Sequence, residues 1–288
     1  MASLAKEMTA LGYLVNGGNE AYALRRFQRR SLTDLRATKA GLVPACILPT
    51  YKGTVTGKAD QATTDEVAVW TARGYVAPLG VYPIESVSGG KLRSDAAKAW
   101  TKLVGLAKSK GGTLDSPYGD TKRPLGKAKK AGASSFSFHI AGRAVDINQN
   151  LGGGTGQRYY IVQEASGGDT YWRLYCKTDD QTGAQGTKIA KGTVTAYRFG
   201  DGKTYKIPEG YYFDLTALIE STGEFERIRA QDGWGPSGPA YNKSEWWHFQ
   251  WKPEKQETFH DECELVGITE ADLRGAGYGD GDLDHRPG

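Results

Sequence analysis

The sequence predicts an α+β protein: a small all-α bundle at the N-terminus, then an α+β domain built on a central antiparallel sheet. Apolar residues recur at helical spacing through much of residues 1–77. Across residues 90–270, strand-like and helix-like runs are mixed without the βαβ alternation that marks a parallel sheet. The charge divides at the same place: residues 1–77 hold 10 Lys/Arg against 6 Asp/Glu, whereas 78–288 hold 27 of each, so the whole excess of +4 lies in the first quarter.

In the N-terminal segment, Leu4, Met8 and Leu11 form one helical stripe that ends at Gly12. Asn19 can cap a second helix, with Ala23, Leu24 and Phe27 on one face and Arg25, Arg26, Arg29 and Arg30 around the rest. A polar, Pro-containing connection over 31–56 leads to a third helix that starts at Asp60 or Thr63, carries Val67, Val69 and Trp70, and stops at Gly74. Pro78, Pro83 and Gly89-Gly90 make residues 78–92 a linker.

The second domain is expected over 93–274. Ser94 caps a helix to Lys110 with Ala96, Trp100, Leu103 and Ala107 as its stripe. Two hairpins follow, one turning at Ser166-Gly167-Gly168-Asp169 and one at Gly200-Asp201-Gly202. A short helix over 214–223 precedes a Gly/Pro-rich loop into EWWHFQW (245–251), and residues 275–288 read as a flexible tail.

The 288 residues suit two domains, and 39% hydrophobic with 24% charged residues is a soluble globular composition. No apolar run approaches the roughly 20 residues that span a bilayer. MASLAKEMTALGYL lacks the basic and apolar regions of a signal peptide, so synthesis in the cytoplasm without one is expected, with the cell wall or periplasm reached by release or another export route. Cys46, Cys176 and Cys263 are too few and too scattered for a disulfide framework or thiolate zinc site and read as small hydrophobes. The single basic helix lacks an aromatic stacking series, which argues against a nucleic-acid partner. A monomer is expected.

Two strings place polar residues where a core should be: SFHIAGRAVDI (137–147) and EWWHFQW. Burying such groups without partners is costly, and a metal ion supplies one partner for all. His139, Asp146 and His248 make an N₂O donor set with a position left for water, the composition of a catalytic zinc site rather than a closed structural one. In a strand over 143–147, Asp146 and Ala144 share one face while Val145 and Ile147 enter the core, and Gly142 lets His139 turn back toward the same ion. His248 and Gln250 share a face of the second string. Glu245, three residues before His248, reaches that side only if Trp246-Trp247 is a turn or kink. There it would sit near the ion as a general base. His260 and His285 lie outside both strings and read as solvated. Trp246 and Trp247 are packing residues or ligand platforms.

The strings LGYL (11–14), ALRRFQRR (23–30) and GTVTGKADQATTDEVAVW (53–70) resemble the peptidoglycan-binding type 1 module, which implies a wall-binding unit over 1–77. Ser137, His139, Gly142, Ala144 and Asp146, followed by Glu245 and His248, resemble the SxHxxGxAxD and ExxH motifs of the peptidase group typified by lysostaphin, D-alanyl-D-alanine carboxypeptidases and hedgehog proteins. EWWH is most similar to the D-alanyl-D-alanine dipeptidase and carboxypeptidase branch. The resemblance implies one zinc per chain on His139, Asp146 and His248, with Glu245 as catalytic base. It also implies an upstream arginine that polarises the scissile carbonyl. Arg123 fits that place, although three residues inserted after Tyr118 depart from the pattern and leave Lys122 as a substitute. Ser137 is a turn hydroxyl or a contact to the substrate carboxylate. The implied activity is hydrolysis of a peptidoglycan stem-peptide bond, as a D,D-carboxypeptidase or an L-Ala-D-Glu or D,D-endopeptidase. The setting is a phage endolysin or an exported lytic enzyme. The alternative is a non-catalytic, zinc-stabilised wall-binding protein.

Overall fold

The computed structural model describes residues 2–16, 18–32, 38–39, 50–127, 134–231, 234, 243–253 and 255–286. Cys46, most of the 31–56 connection and most of the Gly/Pro-rich loop before Glu245 lie outside them. The chain is α+β and divides into two compact units, one of residues 1–83 with Gln256–Arg286 and one centred on Ile84–Lys255. Among the described residues, no helix is long and apolar enough to cross a membrane.

In the first unit, α1 (Ala2–Ala10), α2 (Glu20–Arg30) and α3 (Gln61–Arg73) follow the helical stripes of the sequence, and the two-residue strands β1 (Thr38–Lys39) and β2 (Tyr75–Val76) pair antiparallel. Met8, Leu11, Leu24, Phe27, Val67 and Trp70 share one buried cluster. Asp60 caps α3 by accepting from Thr63 N, and Gly74 ends it at φ 64°. Asn19 stands at the N-cap of α2 but makes no capping bond; its Nδ2 donates to Glu270 and to the Leu14 carbonyl.

The unit does not end with the N-terminal module. Residues 275–286 are not a free tail, and the second domain does not run to 274. Short helices at Phe259–Leu265, Glu270–Gly275 and Asp280–Leu283 belong to the first unit. They bury Phe259, Leu265, Leu273 and Leu283, and the connection between the last two helices buries Tyr278. Two arginines of α2 are drawn inward with them. Arg26 Nε donates to Asp261 Oδ1 at 3.0 Å and its guanidinium also pairs with Glu264; Arg30 meets both carboxylates at 3.0 Å. Arg26 and Arg30 are therefore buried, not part of a solvated basic face. His260, expected in solvent, is fully buried, with Nδ1 2.6 Å from Tyr22 Oη and the two rings stacked. His285 is exposed as expected.

The 78–92 segment is only partly a linker. Gly80 N and Tyr82 N donate to the carbonyls of Glu264 and Leu265 within the first unit. Residues Ile84–Val87 (β3) and Gly90–Arg93 (β4) form a hairpin that opens the second unit. Helix α4 (Ser94–Ser109) buries Ala96, Trp100, Leu103 and Ala107; its N-cap is Arg93 rather than Ser94. Two antiparallel sheets follow. The larger contains both predicted hairpins, β6 (Tyr159–Ser166) with β7 (Asp169–Lys177) and β9 (Thr195–Tyr197) with β10 (Thr204–Lys206), together with β8 (Thr187–Ile189) and β11 (Gly210–Asp214). The smaller runs β12 (Phe225–Arg227), β13 (His248–Trp251), β5 (Ala144–Asp146), with β13 in the centre. One face of this small sheet, through Val145, Phe225, Phe249 and Trp251, joins the core made with α4. The other face carries Ala144, Asp146, His248, Gln250 and Glu226, as alternation along the strands requires.

Candidate metal centre

The first motif is shaped by a tight turn. Gly142 N donates to the His139 carbonyl at 3.1 Å and Arg143 N to the Phe138 carbonyl at 2.9 Å, reversing the chain just before β5. Gly142 has φ 65°, and a Cβ there would stand 2.8 Å from Arg93 N. Only glycine combines that conformation with that approach. The turn aims His139 back along the strand that carries Asp146.

β5 is held on both edges. On one, His248 pairs with Asp146 across the ladder. On the other, Asp146 N donates to the Asp120 carbonyl at 2.9 Å and Gly119 N to the Asp146 carbonyl at 2.8 Å. The segment around Asp120, between Tyr118 and the Lys122-Arg123 pair, thus acts as a short extra strand beside Asp146.

The second motif needs its own distortion. Glu245 has φ 56°, the one positive value at a non-glycine among the described residues. Its carbonyl accepts from His248 N at 3.1 Å. A turn through Trp246-Trp247 therefore replaces straight strand, the condition under which Glu245 reaches the His248 side. Such a backbone costs about 1–3 kcal/mol and persists where the surroundings enforce it. Both tryptophans are buried, against each other and Phe199, so packing is their role here.

The three donor side chains converge. Asp146 Oδ1 lies 3.1 Å from His139 Nε2 and 2.9 Å from His248 Nδ1. Atoms of all three lie within 4.8 Å of one another, a group that could hold a metal ion. The imidazoles meet edge to face at 82°, with centroids 5.0 Å apart. His139 Nδ1 donates to the Thr121 carbonyl at 2.7 Å, which leaves the Nε2 lone pair facing the cluster, the usual support for a ligating histidine. Two nitrogens and one carboxylate oxygen, buried and with no fourth side-chain donor among the described residues, fit a borderline metal with an open position.

The electrostatics agree with that chemistry. Burial alone would raise the Asp146 carboxyl, but the two imidazoles hold it well below the usual carboxylate range. Burial would lower His139, yet the Asp146 charge raises it. A cation must therefore compete with a proton here, as at any histidine–carboxylate site. Glu245 is raised, first by burial and then by the Asp146 charge, while His248 and Arg123 oppose the rise.

Arg123 thus stands within electrostatic reach of Glu245. Its guanidinium donates twice to Asp120 Oδ2, at 2.9 and 2.6 Å, and its backbone N donates to the His139 carbonyl at 2.9 Å. Lys122 Nζ instead donates to the Arg123 carbonyl. Ser137 Oγ accepts from His139 N at 3.3 Å, the turn role among its two alternatives. Sequence reasoning missed Asp120 and Thr121. The i,i+3 spacing of Asp120 and Arg123 was the available signal for the first; the second acts through its carbonyl, which no residue type advertises. Comparison with protein-family models, with curated proteins and with solved structures finds no match for the chain.

Proposed function

We propose that the protein is a zinc-dependent peptidoglycan peptidase that hydrolyses a stem-peptide bond. The carrying observation is the convergence of His139, Asp146 and His248, with Glu245 turned toward them by a strained backbone. Zinc is the metal that an N₂O set with an open position suits best. Bound there, it would act as a Lewis acid, making water more acidic and polarising a carbonyl. His139 and His248 would each offer one imidazole nitrogen to that position, and Asp146 would supply the compensating charge. Glu245 removes a proton from the attacking water and returns it to the leaving amine. Its raised affinity for protons moves it toward the range where one group can do both. Arg123, fixed by Asp120, offers positive charge to the developing oxyanion, and Ser137 braces the turn that aims His139.

The helical first unit is proposed as the wall-binding module, in an endolysin or exported lytic enzyme. The test is digestion of purified peptidoglycan by the zinc-loaded chain, with released fragments identified by mass spectrometry. New amino or carboxyl termini within the stem peptide are expected. Wall binding with bound zinc and no new termini would favour the non-catalytic alternative.

A further inference from the structure

The division into units moves the charge. The C-terminal helices bring their acids into the first unit, which holds 12 Lys/Arg against 15 Asp/Glu, whereas residues 84–255 hold 25 against 18. The basic excess that lies in the first quarter of the linear sequence therefore belongs, in the fold, to the second unit. Most of it comes from one stretch: residues 91–127 hold 9 Lys/Arg and 3 Asp/Glu. Arg93 and Arg123 are paired there with Asp95 and Asp120, so the excess is carried by lysines.

Helix α4 holds the centre of this stretch. Ala96, Trp100, Leu103 and Ala107 fix one side to the core. Lys98, Thr101, Lys102, Gly105, Lys108 and Ser109 are exposed on the other. Lys98, Lys102 and Lys108 span about 15 Å at 1.5 Å per residue, and Lys110 follows at the C-cap, also exposed. Among the described residues these four lysines make no ion pair. Asp95, the one acid of the helix, is taken by Arg93 and by Trp251 Nε1. Of the acids on elements packed beside α4, Glu220 on α5 (Leu215–Glu220) is held by Arg227, and Glu85 on β3 forms no ion pair with the lysines. Helix stability does not call for this pattern. Lys108 and Lys110 complement the negative end of the helix dipole, but Lys98 and Lys102 lie too far from that end. Like charges at i,i+4, as in Lys98 and Lys102, weaken a helix.

We propose that this face of α4 docks a flexible polyanion, a chain of polyols linked by phosphodiesters and bearing no bases. A row of ammonium groups with no anion between them complements a line of single negative charges. Lysine meets phosphate as a point charge on a flexible stem, so it can follow a chain whose charges are not held in register. The exposed face lacks the chemistry for other polyanionic partners. It has no aromatic ring to stack a nucleic-acid base and no guanidinium to fork onto one. It has no large apolar side chain to enter a membrane. The inference needs neither the metal centre nor hydrolysis.

The test measures binding of the full chain to a synthetic poly(glycerol phosphate) across a range of salt concentrations. An oligothymidylate and a polyglutamate of equal charge, and phosphatidylglycerol vesicles, are run beside it. Poly(glycerol phosphate) is expected to bind most tightly. Lys98→Gln, Lys102→Gln and Lys108→Gln combined should weaken it about tenfold at low salt, the scale of three exposed charge contacts. They should also lower the slope of log affinity against log salt by about 2, since each contact on a flexible chain contributes about 0.7. Glutamine matches lysine in helix propensity, and an unchanged melting temperature confirms the fold. Lys191→Gln, Lys203→Gln and Lys206→Gln combined remove the same charge from exposed lysines elsewhere on the unit and should change affinity by less than about twofold. An equal loss in the two variants overturns the surface, because net charge alone would then govern binding. Equal or tighter binding of the oligothymidylate, the polyglutamate or the vesicles overturns the partner, and no salt-dependent binding of poly(glycerol phosphate) overturns both.

Discussion

His248 lies directly across the ladder from Asp146, with its Nδ1 2.9 Å from Oδ1. Strand pairing, not side-chain flexibility, thus brings together two donors 102 residues apart in sequence, and the Gly142 turn adds the third. The expected consequence is one zinc per chain, measured by elemental analysis. His139→Ala with His248→Ala should remove it. Zinc retained by that double variant would show that the ion is held elsewhere.

Glu245 combines the proposed role of base with a strained backbone, and two substitutions separate them. Glu245→Gln keeps size and hydrogen bonding but cannot carry the proton, so hydrolysis should fall by about 10²–10⁴ while zinc content is unchanged. Glu245→Gly also removes the base, yet it relaxes the positive φ and should raise stability by about 1 kcal/mol, within the range such backbones cost. A fall in melting temperature for Glu245→Gly would mean that the carboxylate's contacts outweigh the strain.

The first unit needs its C-terminal helices. A chain cut after residue 77 loses the partners of Arg26 and Arg30 together with the buried Phe259, Leu265, Leu273 and Leu283, so apolar surface of the unit is left uncovered. Residues 1–77 alone are expected to be unfolded by circular dichroism, and adding the 256–288 peptide should restore helicity. Asp261→Asn in the full chain, where Arg26 and Arg30 stay buried, should destabilise the unit by about 3–5 kcal/mol. A cooperatively folded 1–77 fragment would show that the buried pairs are dispensable.

These results mark where the sequence is readable. Asp146 and His248 stand out because each interrupts an apolar run, and strand alternation then assigns their face. Gln250 follows by the same rule. Glu245 is legible only conditionally, since its side depends on a turn that alternation cannot supply. Arg26, Arg30, Asp261 and His260 mislead because a charged or titratable residue reads as solvated when its partner lies more than 200 residues away. Nothing local in RRFQRR or FHDECEL shows that each is the other's counterion.

His260 gives the first unit a distinct response to acid. Burial holds the imidazole far below its ordinary value, and the positive charges of Arg26, Arg30 and Arg29 add to that, with Asp261 opposing. The folded unit therefore keeps His260 neutral, while the unfolded chain takes up a proton near pH 6.5. Because the unfolded state binds more protons, stability is full above about pH 6.5 and declines as pH falls below it. Asp261 acts in a lower window: its carboxyl is depressed in the fold despite burial, because Arg30, Arg26 and Arg29 surround it, so its contribution is full above the ordinary carboxylate value of about 4 and is lost only below it. Melting temperatures of the first unit between pH 7 and 5 should thus fall in the wild-type chain. They should be nearly flat in His260→Gln, whose amide oxygen can still accept from Tyr22 Oη but does not titrate. The same acid slope in both proteins would assign the sensitivity to another group.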